Sequence, residues 1–157
     1  MSIHVLNHAR DLLLDETPLA RNCGTLCGAA CCQGDQETGM ILFPDEEKLY
    51  EGCTFGHILP ANYRIGQHRA QIFVCNGSCP REMRPLACRL FPLFLRFENG
   101  SPRVRLDPRA DMCPLLDFGL NGLRKSFVSA AETAYNCLLA DPVQADFLHG
   151  LDDAFSL

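Results

Sequence analysis

Four cysteines within ten residues constrain this chain more than any other feature of its sequence. Cys23, Cys27, Cys31 and Cys32 stand in the stretch NCGTLCGAACC. Packing alone uses one or two buried cysteines as small hydrophobic residues, so four in one block indicate a shared role. The candidates for that role are a metal ion, a metal–sulfur cluster, or a set of disulfides.

A second group of cysteines follows about forty residues after the first. Its members lie in VCNGSCPREMRPLACRLFPLF and in DMCPLL, and they are Cys75, Cys79, Cys88 and Cys113. Zinc and iron–sulfur sites draw thiolates from loops that are far apart in sequence. The two groups together predict a metal site for which all eight cysteines are candidate ligands.

Length and composition favour metal ligation over disulfides. A chain of 157 residues suits a single domain over 1–157, which is large enough to fold without cross-links. The N-terminal segment carries Asp11 in its apolar part and lacks the basic start of a secretory signal. The sequence has no apolar run long enough to span a membrane. We therefore expect a cytoplasmic protein without a membrane partner, in which cysteines act as ligands or reactive groups.

The charge of the chain argues against nucleic acid as a partner. The formal net charge is −5, whereas nucleic-acid-binding domains are basic. Half of the fourteen basic residues nevertheless lie between Arg81 and Arg109. A patch for an anionic partner and the solvated face of a hairpin both remain open for these arginines.

Hydrophobic periodicity predicts four elements in the first half of the chain. They are an amphipathic helix over 3–16, a short buried strand over 40–43, a helix that starts at 44–47, and a strand over 72–74 that leads to Cys75. Residues 53–71 mix apolar and polar side chains, and no element is assigned to them.

A β-hairpin at about 91–106 is the clearest local prediction. Apolar and polar residues alternate on both sides of Asn99-Gly100, which is a strong hairpin signal. The C-terminal segment 120–157 is predicted to be helical, with one helix over 121–140 and another that starts at Asp141-Pro142. The sequence therefore predicts an α+β fold, with terminal helices, this hairpin and an irregular cysteine-rich middle.

The two cysteine groups resemble a known family. A cysteine block that ends in Cys-Cys, followed by distal cysteines, Arg-Pro and Cys-Arg-x-Phe-Pro, is similar to the CxxCxxCC cysteine-cluster proteins of the YkgJ-like family. The resemblance covers roughly residues 20–95. The matching residues are Cys23, Cys27, Cys31, Cys32, Cys75, Cys79, Arg84, Pro85, Cys88, Arg89, Phe91 and Pro92.

The resemblance implies a zinc- or iron-chelating domain. Members of the family are also labelled iron–sulfur oxidoreductases, and a related region occurs in the flagellin lysine methylase. This implies an iron–sulfur cluster as cofactor, with zinc as the alternative. It also leaves open a metal-dependent redox or group-transfer enzyme that acts on a protein, and a structural zinc module that contacts a protein partner. The spacing here is C-x3-C-x3-C-C, which departs from the family pattern.

The vicinal pair Cys31-Cys32 bears on the kind of metal site. Neighbouring side chains point apart, which suits two metal ions or a multi-iron cluster better than one tetrahedral zinc. Arg84 and Arg89 flank Cys88 in the matching motif. We predict that they do not bind the metal themselves but hydrogen-bond the ligating thiolates and offset their negative charge. Cys53 and Cys137 lie outside the motif, and we interpret them as a partly buried thiol and a small core residue.

Overall fold

The computed structural model describes residues 2–17, 39–76, 80–107 and 119–155. Within these ranges the chain has the predicted α+β fold, built from helices and antiparallel strands. The elements in chain order are α1 (Ser2–Leu12), β1 (Met40–Ile41), a 3₁₀ helix (Glu46–Tyr50), β2 (Gly56–Ile65), β3 (His68–Cys75), a 3₁₀ turn (Arg81–Met83), α2 (Leu86–Leu90), β4 (Leu93–Glu98), β5 (Ser101–Leu106), a 3₁₀ turn (Leu120–Gly122), α3 (Lys125–Leu139) and α4 (Pro142–Phe155).

A three-stranded antiparallel sheet has the strand order β1-β3-β2. The predicted strand over 72–74 is confirmed as the end of β3, and the predicted strand over 40–43 is confined to Met40–Ile41. β2 is ten residues long and lies within the region to which the sequence assigned no element. Its pairing with β3 shifts register between Pro60 and Arg64, which interrupts the alternation that a strand normally shows.

The predicted hairpin is confirmed as strands β4 and β5. They pair directly from Leu93 opposite Leu106 to Glu98 opposite Ser101. Asn99 and Gly100 both have positive φ, at 55° and 79°. Two such residues match the twist of the flanking strands, so the Asn-Gly turn sets the register of the hairpin.

The terminal helices pack together on one side of the fold. α1 packs against α3, and α4 packs against α3, β4 and β2. The shared core contains Leu6, Phe127 and Phe147, each fully buried. None of the helices in the described ranges is long and apolar enough to cross a membrane.

The start of α4 follows its sequence signals closely. The Asp141 carboxylate accepts hydrogen bonds from the backbone N–H groups of Val143 and Gln144, at 2.9 and 3.1 Å. This is the N-cap that the Asp-Pro pair predicts. The Gln144 side chain is buried and donates to the carbonyl of Pro44 at 3.0 Å, so it joins α4 to the chain ahead of the 3₁₀ helix.

The turn between β2 and β3 lies against α4 at two glycines. Gln67 donates its backbone N–H to the Asp146 carboxylate at 2.8 Å. A Cβ atom on Gly150 would overlap the backbone of Gly66, so this contact requires the absence of a side chain. The turn between β2 and β3 is therefore in backbone contact with α4.

Candidate metal centre

Two of the eight candidate ligands, Cys75 and Cys88, lie in the described part of the chain. The other six lie outside the described residues, and they are Cys23, Cys27, Cys31, Cys32, Cys79 and Cys113. Among the residues that are described, no three His, Cys, Asp or Glu side chains lie together in a way that could hold a metal ion. The structure therefore shows the surroundings of two of the eight predicted ligands, Cys75 and Cys88.

Cys75 is the last residue of β3 and is half-buried. Alternation along the strand places its side chain on the same face as Phe73, which is buried. Gly56 of β2 lies opposite Cys75 in the ladder. A Cβ atom on Gly56 would overlap the ring of Phe73, so a glycine is needed here for the strands to pair over that ring.

Three aromatic rings belong to the small apolar group against which Cys75 packs, and we call them the aromatic cluster: Tyr50, Phe55 and Phe73. The rings of Tyr50 and Phe73 have centroids 4.7 Å apart, and those of Phe55 and Phe73 are 5.8 Å apart. Cys75 packs against this small apolar group. Such rings add packing energy and exclude water from one side of the thiol.

Cys88 contributes to the electrostatic environment of Tyr50. It is half-buried in the middle of α2. Burial raises the pKa of the Tyr50 phenol, the charge of Glu46 raises it further, and the charge of Cys88 is a smaller contribution in the same direction. Cys88 therefore lies within electrostatic range of Tyr50. Tyr50 thus belongs to the apolar group against which Cys75 packs and also lies within electrostatic range of Cys88.

A buried ion pair fixes α2 in this position. The Glu46 carboxyl is fully buried and receives Nη1 of Arg10 at 2.6 Å. It also accepts the backbone N–H of Leu86, the first residue of α2, at 2.6 Å, and that of Phe43 at 3.1 Å. A fourth contact runs from Nη1 of Arg10 to the Tyr50 hydroxyl at 3.1 Å. This network joins α1, the 3₁₀ helix and α2 at one point.

Burial and pairing act against each other in this network. Burial raises the pKa of Glu46, while Arg10 and the two backbone N–H groups act in the opposite direction. Burial also lowers the pKa of Arg10, but the Glu46 carboxylate and Tyr50 outweigh it, so the pKa of Arg10 is raised. Arg10 is therefore held as a cation in the interior.

Arg89, which follows Cys88, is buried and binds three backbone carbonyl groups. Its Nη1 donates to the carbonyl of Arg10 at 2.8 Å, its Nε to that of Arg84 at 3.0 Å, and its Nη2 to that of Glu82 at 2.9 Å. Burial lowers its pKa, and the nearby charge of Arg10 acts in the same direction. The predicted bond from Arg89 to a ligating thiolate remains a prediction. The contacts just described fix the segment that precedes Cys88.

Cys53, which lies outside the cysteine motif, is confirmed as the partly buried thiol that the sequence predicts. It is half-buried and packs against the same apolar group as Cys75. Its thiol donates to the carbonyl of Gly56 at 3.4 Å, and Gly56 stands opposite Cys75. Recognition of β2 in the sequence would have predicted the pairing of Gly56 with Cys75. Cys137 lies on α3, where it is half-buried and not a fully buried core residue.

Comparison with known proteins leaves the resemblance as a prediction. No family model, no curated protein and no solved structure matches this chain.

Proposed function

We propose that this protein chelates metal through cysteine thiolates and binds an iron–sulfur cluster, with zinc as the alternative. One observation carries the proposal. Cys75 and Cys88 come from separate elements of the second cysteine group. Cys75 packs against the apolar group that contains Tyr50, and Cys88 lies within electrostatic range of Tyr50. Two cysteines from different elements of one fold are the arrangement from which thiolate sites are built.

The surroundings of these two cysteines suit an anionic thiolate site. Arg10 and Arg89 bring two positive charges to the interior near Cys88, and Glu46 brings one negative charge. The sum is one net positive charge, which would offset part of the negative charge of a thiolate site. Half-buried thiols next to aromatic rings are also shielded from solvent on one side, which protects a cluster from exchange with water.

The residues that would hold the metal are the cysteines of both groups. They are Cys23, Cys27, Cys31, Cys32, Cys75, Cys79, Cys88 and Cys113. An iron–sulfur cluster supplies one-electron transfer when bound, whereas a closed four-thiolate zinc site supplies folding energy alone. The role of this chain's own residues is to position the thiolates, to shield them and to offset their charge. The proposal places the protein in the cytoplasm, where ligating thiolates stay reduced.

Anaerobic purification followed by metal analysis and visible absorption tests the proposal. We expect iron with inorganic sulfide and a visible absorption band in the wild-type chain. Cys75→Ser and Cys88→Ser should each lower the metal content per chain. Cys137→Ser is the matched control, because it replaces a half-buried thiol on α3, and it should retain the wild-type metal content.

Three other results would change the conclusion. A colourless protein with stoichiometric zinc would replace the iron–sulfur cluster by the structural zinc alternative. Absence of any metal in anaerobically purified protein would refute chelation as a whole. Equal metal loss in Cys75→Ser, Cys88→Ser and Cys137→Ser would refute the site and indicate a general loss of stability.

A further inference from the structure

Strand β5 is an edge strand, and its register shows which of its backbone groups point outward. Within the described residues, β4 is the only strand that pairs with β5. Asp107 donates its backbone N–H to the carbonyl of Pro92 at 2.7 Å, so these two residues form a hydrogen-bonded pair just beyond the ladder. Hydrogen-bonded and non-hydrogen-bonded pairs alternate in an antiparallel ladder. Val104 and Leu106 therefore belong to non-hydrogen-bonded pairs and direct their N–H and C=O groups away from β4.

These outward groups are available to a further strand. The N–H groups of Val104 and Leu106 and the carbonyl of Leu106 have no hydrogen-bond partner among the residues that the structure describes. The carbonyl of Val104 accepts Nη1 of Arg105 at 3.2 Å, at an exposed position. Pro102 lacks the N–H that would also point outward, which suits an edge position. An edge of this kind is a template for pairing with another chain.

One face of this edge carries a positive charge that is not offset. Arg103 and Arg105 are exposed on the same face of β5. Arg105 is paired with Glu98 at 2.9 Å. Arg103 stands directly opposite Arg96, whose charge Asp152 offsets at 3.0 Å. Arg103 itself has no ion pair with any described residue, so this face attracts a carboxylate.

The pattern of side chains on β5 indicates what kind of strand fits beside it. Val104 and Leu106 alternate with the two arginines and pack against the core. Residues that face each other across a ladder lie on the same side of the sheet. A fitting strand thus has acidic side chains opposite Arg103 and Arg105 and apolar ones opposite Val104 and Leu106. A second copy of this chain does not fit, because two β5 strands would bring their arginines together on one face.

We propose that β5 binds an extended segment of a partner protein in which acidic and apolar residues alternate. The segment lies along β5 as an additional strand. Its backbone bonds to the N–H groups of Val104 and Leu106, which supply affinity, and its acidic side chains face Arg103, which supplies specificity. This interaction does not depend on the proposed metal site.

A short synthetic peptide of alternating glutamate and valine tests the proposal on the full-length chain. Fluorescence anisotropy of a dye on the peptide measures binding. We expect saturable binding of this peptide and none of its counterpart with lysine in place of glutamate. Only alternate N–H groups of an added strand face β5. Methylation of one alternate set of peptide amides should therefore abolish binding, and methylation of the other set should not. Absence of binding, or equal behaviour of the two methylated peptides, would overturn the proposal.

Two substitutions on β5 test the same contacts from the protein side. Val104→Pro removes an outward N–H and no bond to β4, and it should weaken binding by about tenfold or more. Val104→Ala keeps the N–H and is the matched control. Arg103→Glu should weaken binding by at least about tenfold, whereas Lys48→Glu, an equal charge change at an exposed position, should not. Urea unfolding verifies that each variant is folded. Wild-type affinity in folded Val104→Pro or Arg103→Glu would contradict the proposal, and the methylated peptides give a result even where a variant does not fold.

Two further results would assign the edge to a different occupant and overturn the proposal. A wild-type dimer in sedimentation that Val104→Pro converts to a monomer would mean that a second copy occupies β5. Equal displacement of the labelled peptide by the unlabelled peptide and by an oligothymidylate of the same charge would mean that charge alone governs binding. We expect a monomer, and displacement by the unlabelled peptide only.

Discussion

Nη1 of Arg10 lies 2.6 Å from Oε2 of Glu46, although the two residues are 36 positions apart in the chain. Their side chains are nearly or fully buried. A buried ion pair is costly to form but more costly to break on one side, because the remaining charge is left in the interior without a partner. This pair also determines where α2, with Cys88, begins.

Glu46→Gln should therefore destabilise the protein strongly. We expect a loss of about 3–5 kcal/mol in the free energy of unfolding, because Arg10 stays buried as a cation without its carboxylate. Urea denaturation at neutral pH measures it. Lys48→Met is the control, since it removes an exposed ion pair to Asp45 and should cost at most about 1 kcal/mol. Similar small losses in both variants would contradict a structural role for the Arg10–Glu46 pair.

Tyr50→Phe should alter how stability depends on alkaline pH. Burial raises the pKa of Tyr50 above its unfolded value of about 10. A raised pKa means that the contribution of Tyr50 is fully present below pH ~10 and is lost as the pH rises toward the folded pKa. Between the unfolded and the folded pKa of Tyr50, the free energy of unfolding of the wild-type chain should fall by about 1.4 kcal/mol per pH unit because of this group. The free energy of unfolding of Tyr50→Phe should lack this contribution.

Urea denaturation between pH ~8 and ~11, a range that spans the unfolded tyrosine pKa of about 10, checks this expectation. Tyr63→Phe is the matched control, because its ring is exposed on β2, and it should follow the wild-type slope. Parallel slopes for the wild-type chain and Tyr50→Phe would mean that the phenol is not held in the buried environment described above.

Gly150→Ala should destabilise the protein although alanine is the better helix former. On an exposed helix the change would stabilise by about 1 kcal/mol. In α4 the new Cβ atom would overlap the backbone of Gly66, so the helix must move away from the turn between β2 and β3. We expect a net loss of about 1–3 kcal/mol, measured by thermal or urea unfolding. Asp153→Ala, at an exposed position of the same helix, should change stability by less than about 0.5 kcal/mol. A more stable Gly150→Ala chain would contradict the backbone contact.

Arg89→Lys should lower both stability and metal content. Lysine keeps the charge but lacks the planar fork that reaches the carbonyls of Arg10, Arg84 and Glu82 together. Loss of buried hydrogen bonds of this kind costs about 1–3 kcal/mol. Unfolding curves and metal per folded chain are the two measurements. Reduced stability with unchanged metal per folded chain would limit Arg89 to a structural role and contradict its predicted contact with the ligands.

Local signals in the sequence were sufficient for several elements. Asn99 and Gly100 adopt two successive positive φ angles, which few other residue pairs do. This pair of residues was therefore sufficient to predict the hairpin and its register. Asp141-Pro142 similarly marked the start of α4. The predicted helix over 3–16 ends earlier, at Leu12. At this end of the helix, the carbonyl of Arg10 accepts a hydrogen bond from the N–H of Leu13, three residues later, instead of the four-residue spacing of an α-helix. The same carbonyl accepts a hydrogen bond from Nη1 of Arg89, which is distant in sequence.

Contacts between distant segments could not be predicted in this way. Pro60 and the shift in register after it hide β2 from a test for alternation, and without β2 the pairing of Gly56 with Cys75 could not be predicted. The Arg10–Glu46 pair has no sequence signal, because Glu46 looked like an ordinary acid in the first turn of a helix. Of the candidate site, the sequence predicts the types of ligand, and the fold shows that Cys75 packs against the apolar group of Tyr50 while Cys88 lies within electrostatic range of that residue.

The three carbonyl acceptors of Arg89 have a consequence for how this chain can vary during evolution. A backbone carbonyl is present whatever side chain its residue carries, so positions 82 and 84 can drift without losing their bond to Arg89. Arg89 itself has no such freedom, because the donors belong to its side chain. A saturation-mutagenesis survey of folding stability should therefore find position 89 less tolerant than positions 82 and 84, and homologues that differ at Glu82 would still place Cys88 in the same way.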